Sequence, residues 1–159
     1  MQDKKILIVY YSRTGTTKRA AEMIGGEIRC SFEEIKDKKN RSGALGYLFG
    51  GRDAMNKTLT EIEHAQYSPA NYDLVIIGTP VWAHTLPPAI RTYIEQNKNQ
   101  FKKIALFCTM GSSGAMTTLK DMENLCGKTA VETISLKTKD VLNSLCADRC
   151  RRFVEEITE

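Results

Sequence analysis

Ser12-Arg13-Thr14-Gly15-Thr16-Thr17 is the segment of this chain best equipped for chemistry. Four of its residues carry hydroxyls, its glycine lets the backbone turn tightly, and a helix starting at its end would aim free N–H groups at one point. That combination suits a phosphate dianion. The segment lacks the terminal Gly-Lys-Ser/Thr of a nucleoside triphosphatase and the Gly-x-Gly-x-x-Gly of a dinucleotide site, which argues against those ligands. By itself it also reads as a Ser/Thr-rich turn that caps a helix.

Two further segments could complete a site. Thr79-Pro80-Val81-Trp82-Ala83-His84, continuing into Thr85-Leu86-Pro87-Pro88, holds the only tryptophan. An indole on such a loop can stack on a flat ring, worth roughly 0.5–1.5 kcal/mol beyond its burial; it can equally cover the end of a sheet core. His84 reads either as a proton donor or stacking partner for that ring, or as an exposed loop histidine. His64 lies in a polar stretch and is expected at the surface. In Thr109-Met110-Gly111-Ser112-Ser113-Gly114 the glycines allow close backbone approach, so its amides could bond the polar edge of a ring; alone it is a generic turn. A receiver domain is disfavoured, because Tyr10-Tyr11-Ser12 and Gly78-Thr79-Pro80 supply no acidic cluster. A hydrolase is disfavoured too, because Gly111-Ser112-Ser113-Gly114 is not a Gly-x-Ser-x-Gly elbow.

The elements that must position these loops follow from hydropathy. Ile6–Tyr11, Leu74–Ile77 and Ile104–Cys108 are short, continuously apolar runs, suited to parallel strands covered on both faces. Glu27–Phe32 alternates and Ala130–Leu136 is mixed, as expected nearer a sheet edge. Helical spacing predicts helices over Thr17–Ile24, ending at Gly25-Gly26, over Leu86–Gln96 and over Ala115–Cys126, ending at Gly127. A last helix capped by Asp140 would turn Val141, Leu142, Leu145, Cys146, Phe153 and Val154 inward. Residues 38–71 read as irregular, with short helical turns packed on the sheet or covering a ligand. The alternation of strands and helices predicts a doubly wound α/β fold, with ligands at the carboxyl ends of the strands.

Composition sets outer bounds. With 159 residues, 42% hydrophobic and 26% charged, the chain is expected to form a single domain. No apolar run reaches the ~18–20 residues of a membrane span, and neither a span nor secretion is expected. Five cysteines, an odd number, suit reduced thiols in the cytoplasm. Cys146 and Cys150, one helical turn apart, lack companions for a metal site. The net charge of +4 is too small and too dispersed to imply nucleic-acid binding, and runs such as Lys36–Arg41 read as solvated faces.

The three loops together resemble the flavodoxin family. Ser12, Thr14, Gly15 and Thr17 match its Ser/Thr-x-Thr-Gly-x-Thr phosphate loop, and the element order of nearly the whole chain follows the family. Thr79-Pro80-Val81-Trp82 and Leu86-Pro87-Pro88-Ala89-Ile90 further resemble a bacterial and archaeal subgroup. The resemblance implies a three-layer fold with five parallel strands in order 2-1-3-4-5, in the short-chain form. It also implies FMN, its phosphate held by Ser12, Arg13, Thr14, Gly15, Thr16 and Thr17, with Arg13 free to face solvent. Thr79, Pro80, Val81, Trp82, Ala83 and His84 would flank the isoalloxazine, and Thr109, Met110, Gly111, Ser112 and Gly114 would contact its pyrimidine edge. No catalytic side chain and no metal is implied. The activity implied is electron transfer between redox partner proteins; the alternative is an FMN-dependent NAD(P)H or quinone reductase, or a flavodoxin-like protoporphyrinogen oxidase. Two features depart from the family: Ala83-His84 stands where the subgroup often has Ala-Gly, and a charge of +4 replaces the usual acidity, which favours acidic partners.

Overall fold

The structure, a computed structural model, describes residues 3–159. Five parallel strands, β1 (Ile6–Tyr10), β2 (Ser31–Glu34), β3 (Leu74–Pro80), β4 (Ile104–Met110) and β5 (Thr133–Lys137), form one sheet in the order β2-β1-β3-β4-β5. This is the order expected. The helices are α1 (Thr16–Gly25), α2 (Gly43–Met55), α3 (Pro88–Asn97), α4 (Ala115–Cys126), α5 (Thr138–Leu142) and α6 (Ala147–Thr158).

Alternation along the strands builds two apolar layers. Ile6, Ile8 and Tyr10 point to the face covered by α1, α5 and α6, where they meet Ala20, Ile24, Val141 and Phe153. Leu7 and Val9 point to the face covered by α3 and α4, where they meet Ile90, Tyr93, Ile94 and Met122. Burial on both faces explains why the central strands read as unbroken apolar runs. The strand order reverses between β1 and β3, so their carboxyl ends open a crevice, and the loops after β1, β3 and β4 rim it.

Some elements depart from the sequence reading. The second strand lies at Ser31–Glu34 rather than Glu27–Phe32. Pairing of Leu7 with Ser31 sets the register, and Glu33 turns inward to accept a hydrogen bond from the Tyr67 amide. The final helix is two: Ser144, at φ 56°, breaks it between α5 and α6, and Leu142 and Leu145 are exposed rather than inward. Asp140 sits within the first turn of α5, not at its cap. The stretch 38–71 contains a full helix of 13 residues, α2. Its four glycines hid it from a reading by propensity.

Candidate functional site

The loop after β1 is closed by its own first residue. The Gly15 amide donates to Ser12 Oγ at 3.1 Å, and Gly15 takes φ +100° at the N-cap of α1. No atom lies within 4 Å of where a Gly15 Cβ would stand, so the loop leaves open space there. No side chain caps α1, and among the described residues the amides of Thr16, Thr17 and Lys18 have no backbone acceptor. Three donors and the positive end of a helix thus face one open point. The Thr14 and Thr16 hydroxyls have no protein partner among the described residues, whereas the Thr17 hydroxyl is buried against that of Thr109 at 2.7 Å. That contact ties the first loop to the end of β4.

Arg13 is half-buried rather than free in solvent. Its guanidinium donates to the Arg41 carbonyl at 3.2 Å and lies 5.5 Å from the centroid of the Tyr47 ring. The run Lys36–Arg41 is likewise not a solvated face throughout. Arg41 is buried, donates to Asp37 at 3.0 Å and to Asp53 at 2.6 Å, and so joins the chain after β2 to α2. Asp53 also receives Lys39 at 3.3 Å. The hydrogen bond from Arg41 holds the Asp53 carboxyl below its usual range, although burial works against it. Nothing in local sequence singled out the Arg41–Asp53 pair, because the two meet only once α2 has packed.

The loop after β3 is a tight hairpin. The Trp82 and Thr85 backbones exchange two hydrogen bonds of 2.9 Å, and both residues between them adopt positive φ, 49° at Ala83 and 62° at His84. Two positive φ values define a type I′ turn, which ordinarily selects glycine or asparagine. What holds it lies beneath. Arg91, buried in α3, donates to the Thr85 hydroxyl at 3.2 Å, and Thr85 donates in turn to Asp121 of α4. Arg91 Nε has no partner among the described residues, and burial pushes the guanidinium pKa down. Trp82 is half-buried, edge-on to Tyr11 at 5.6 Å between ring centroids, with Gly50 of α2 beneath its six-membered ring. The indole therefore does cover the end of the sheet core.

Across the crevice, the amides of Gly111, Ser112, Ser113 and Gly114 have no backbone acceptor among the described residues. Gly114 takes φ +95°, and a Cβ on it would lie 2.8 Å from Val81 and 3.1 Å from His84. The two loops thus meet at Gly114, further pinned by the Thr117 hydroxyl donating to the His84 carbonyl at 2.6 Å. His84 itself is exposed, as is His64. Thr79 is buried and Pro80 and Val81 are half-buried at the crevice floor; the Val81 amide donates to the Thr109 carbonyl at 2.9 Å. Met110 is half-buried at the end of β4.

This crevice, with an amide nest on one rim and two facing loops on the other, has counterparts among known proteins. The family model described as Flavodoxin matches residues 5–157. The chain belongs to the flavodoxin family. Among solved structures, the flavoprotein of Lactobacillus acidophilus NCFM in complex with FMN is 27% identical, with a TM-score of 0.74 over 89% of this chain and 98% of that one. The apo form of the flavoprotein from the same organism, determined by NMR, is 28% identical, with a TM-score of 0.63 over 86% of this chain and 93% of that one. Two-electron reduced flavodoxin of Megasphaera elsdenii shares the fold at 14% identity, with a TM-score of 0.61 over 94% of this chain and 98% of that one. No curated protein sequence matches this flavodoxin-family chain.

Proposed function

We propose that this chain binds FMN in the crevice and carries electrons between redox partner proteins. The observation that carries the reading is the empty-handed N-terminus of α1: unpaired amides and the open, left-handed Gly15 face one point at the strand-order reversal. Neutral donors and a helix terminus can hold a phosphate dianion without a cation, which leaves Arg13 to its contacts with Arg41 and Tyr47. The group fits the residues present, since the space beside Gly15 receives the phosphate and the free amides of 111–114 suit the polar edge of a ring. Family membership, and the FMN complex of a relative 27% identical, support the same cofactor.

In this reading, Ser12, Thr14, Thr16 and the amides of Thr16, Thr17 and Lys18 hold the phosphate. The hairpin at Trp82, Ala83 and His84 and the loop from Thr109 to Gly114 orient the ring and exclude water from it. FMN, when bound, supplies the one- and two-electron chemistry, and the protein sets its potentials through hydrogen bonds, stacking and charge. The chain provides no acid, base or nucleophile for a reaction of its own. The five unpaired thiols motivate placing the protein in the cytoplasm; among the described residues no helix is long and apolar enough to cross a membrane.

The visible spectrum of the purified protein tests the reading. Bands near ~375 and ~450 nm, the signature of an oxidised flavin, are expected at one flavin per chain. A protein that is colourless and takes up no added FMN would refute it. A steady-state assay with NAD(P)H and a quinone, and no partner protein, is expected to show no turnover; robust turnover would replace the carrier with a reductase.

A further inference from the structure

Helix α2 is built inside out. Its inward positions are Gly46, Gly50, Asp53 and Ala54, whereas Leu45, Tyr47, Leu48 and Met55 are each between 64% and 71% exposed. The inversion has a steric cause. A Cβ on Gly46 would lie 2.1 Å from the Arg41 carbonyl, and one on Gly50 would lie 2.8 Å from the Trp82 ring. The helix sits too close to its neighbours for large inward side chains, and its apolar bulk is displaced outward. Contiguous apolar surface of this kind marks an interface.

Two features say what covers it. The face is concave: between α2 and the Trp82 hairpin lies a cavity of about 350 Å³, walled by Tyr47, Leu48, Met55, Val81 and Trp82, with Arg52 beside them. The face is also rimmed by cations. Arg13 stacks on Tyr47, Arg52 lies 4.7 Å from the Phe49 ring, and Lys39 is half-exposed nearby. The one acid of the helix, Asp53, is buried and paired with Arg41 and Lys39, with Arg52 at 3.6 Å from its other oxygen. We propose that this face docks a partner protein presenting an apolar or aromatic knob flanked by carboxylates, seated in the cavity beside Trp82. A central aromatic socket with arginines at its rim is the composition of an interface hot spot.

A second copy of the chain fits less well, because a two-fold interface would set Arg13 and Arg52 against their own copies. A bilayer fits less well too, because a flat slab of lipid leaves the socket unfilled. The use of the surface for electron transfer rests on the carrier reading above; the docking does not.

The probes are two haem proteins of opposite charge, the acidic cytochrome b5 and the basic cytochrome c, each mixed by stopped flow with the photoreduced, FMN-loaded protein. Reduction of cytochrome b5 is expected to slow about tenfold or more between ~20 mM and ~500 mM salt, as a steered encounter requires. Leu48→Asp and Arg52→Glu should each slow it about tenfold at low salt, with flavin content and melting temperature unchanged and no loss of rate towards cytochrome c. Unchanged rates in both variants overturn the proposal. So does a concentration-dependent dimer, or sedimentation with phosphatidylserine vesicles, that Leu48→Asp abolishes while cytochrome b5 reduction stays intact. A protein that takes up no FMN refutes the carrier reading alone. In that case calorimetric titration with ferricytochrome b5 decides the docking: binding weakened by Leu48→Asp supports it, and equal or absent binding overturns it.

Discussion

At the scale of single residues, the amide nest proposed to hold the FMN phosphate depends on one backbone conformation. Gly15→Ala meets no steric obstacle, so its whole effect is the cost of holding a Cβ at φ +100°, about 1–2 kcal/mol. The expected result is FMN affinity weakened about tenfold in a fluorimetric titration, with a smaller loss of melting temperature. Asp53→Asn removes one of the two carboxylates that balance buried Arg41 and should cost about 3 kcal/mol in urea denaturation. The buried thiols set the alkaline limit. Burial pushes Cys108 and Cys126 up to about 12 from the ordinary 9.0, and Cys150 likewise, assisted by Cys146. Above pH 9 the unfolded chain releases protons that the fold retains, so stability present below that pH is lost as pH rises towards 12. The slope is about 1.4 kcal/mol per pH unit per thiol. Melting temperature should fall steeply across that window, and Cys108→Ala should flatten the fall while lowering stability at pH 7.

At the scale of elements, the hairpin after β3 is held in an uncommon shape by what lies under it. Thr85→Val strands the Arg91 guanidinium and Asp121 without their shared partner and should cost about 1–3 kcal/mol, measurable by denaturant titration. The three central strands and α4 were legible in sequence because their signals are local: an apolar run, a helical period, a glycine stop. The turn after β1 was legible for the same reason, since hydroxyls, glycine and helix start are adjacent in the chain. The site's supports were not. Arg41 with Asp53, and Thr85 with Asp121, join residues that only tertiary packing brings together. Helix α2 was illegible for another reason, as its small residues face in and its large ones out, against the pattern by which surface helices are read.

At the scale of the whole molecule, the net charge of +4 acts on any electron added to the site. Adding a second negative charge to a bound flavin is opposed by an acidic protein and favoured by a basic one. The second one-electron step is therefore expected at a less negative potential than in acidic members of the family, and the difference should shrink as salt is raised. A redox titration giving an equally negative value at low ionic strength would sink the idea. The packing around Trp82 has a consequence of an optical kind. As the sole indole, wedged against Tyr11 and Gly50 and walling the socket of α2, it is the chain's single tryptophan emitter, and it touches both the end of β1 and α2. Its near-ultraviolet fluorescence overlaps flavin absorption, so one emission band can report cofactor uptake by its quenching, and loosening of α2 by its wavelength, without any label.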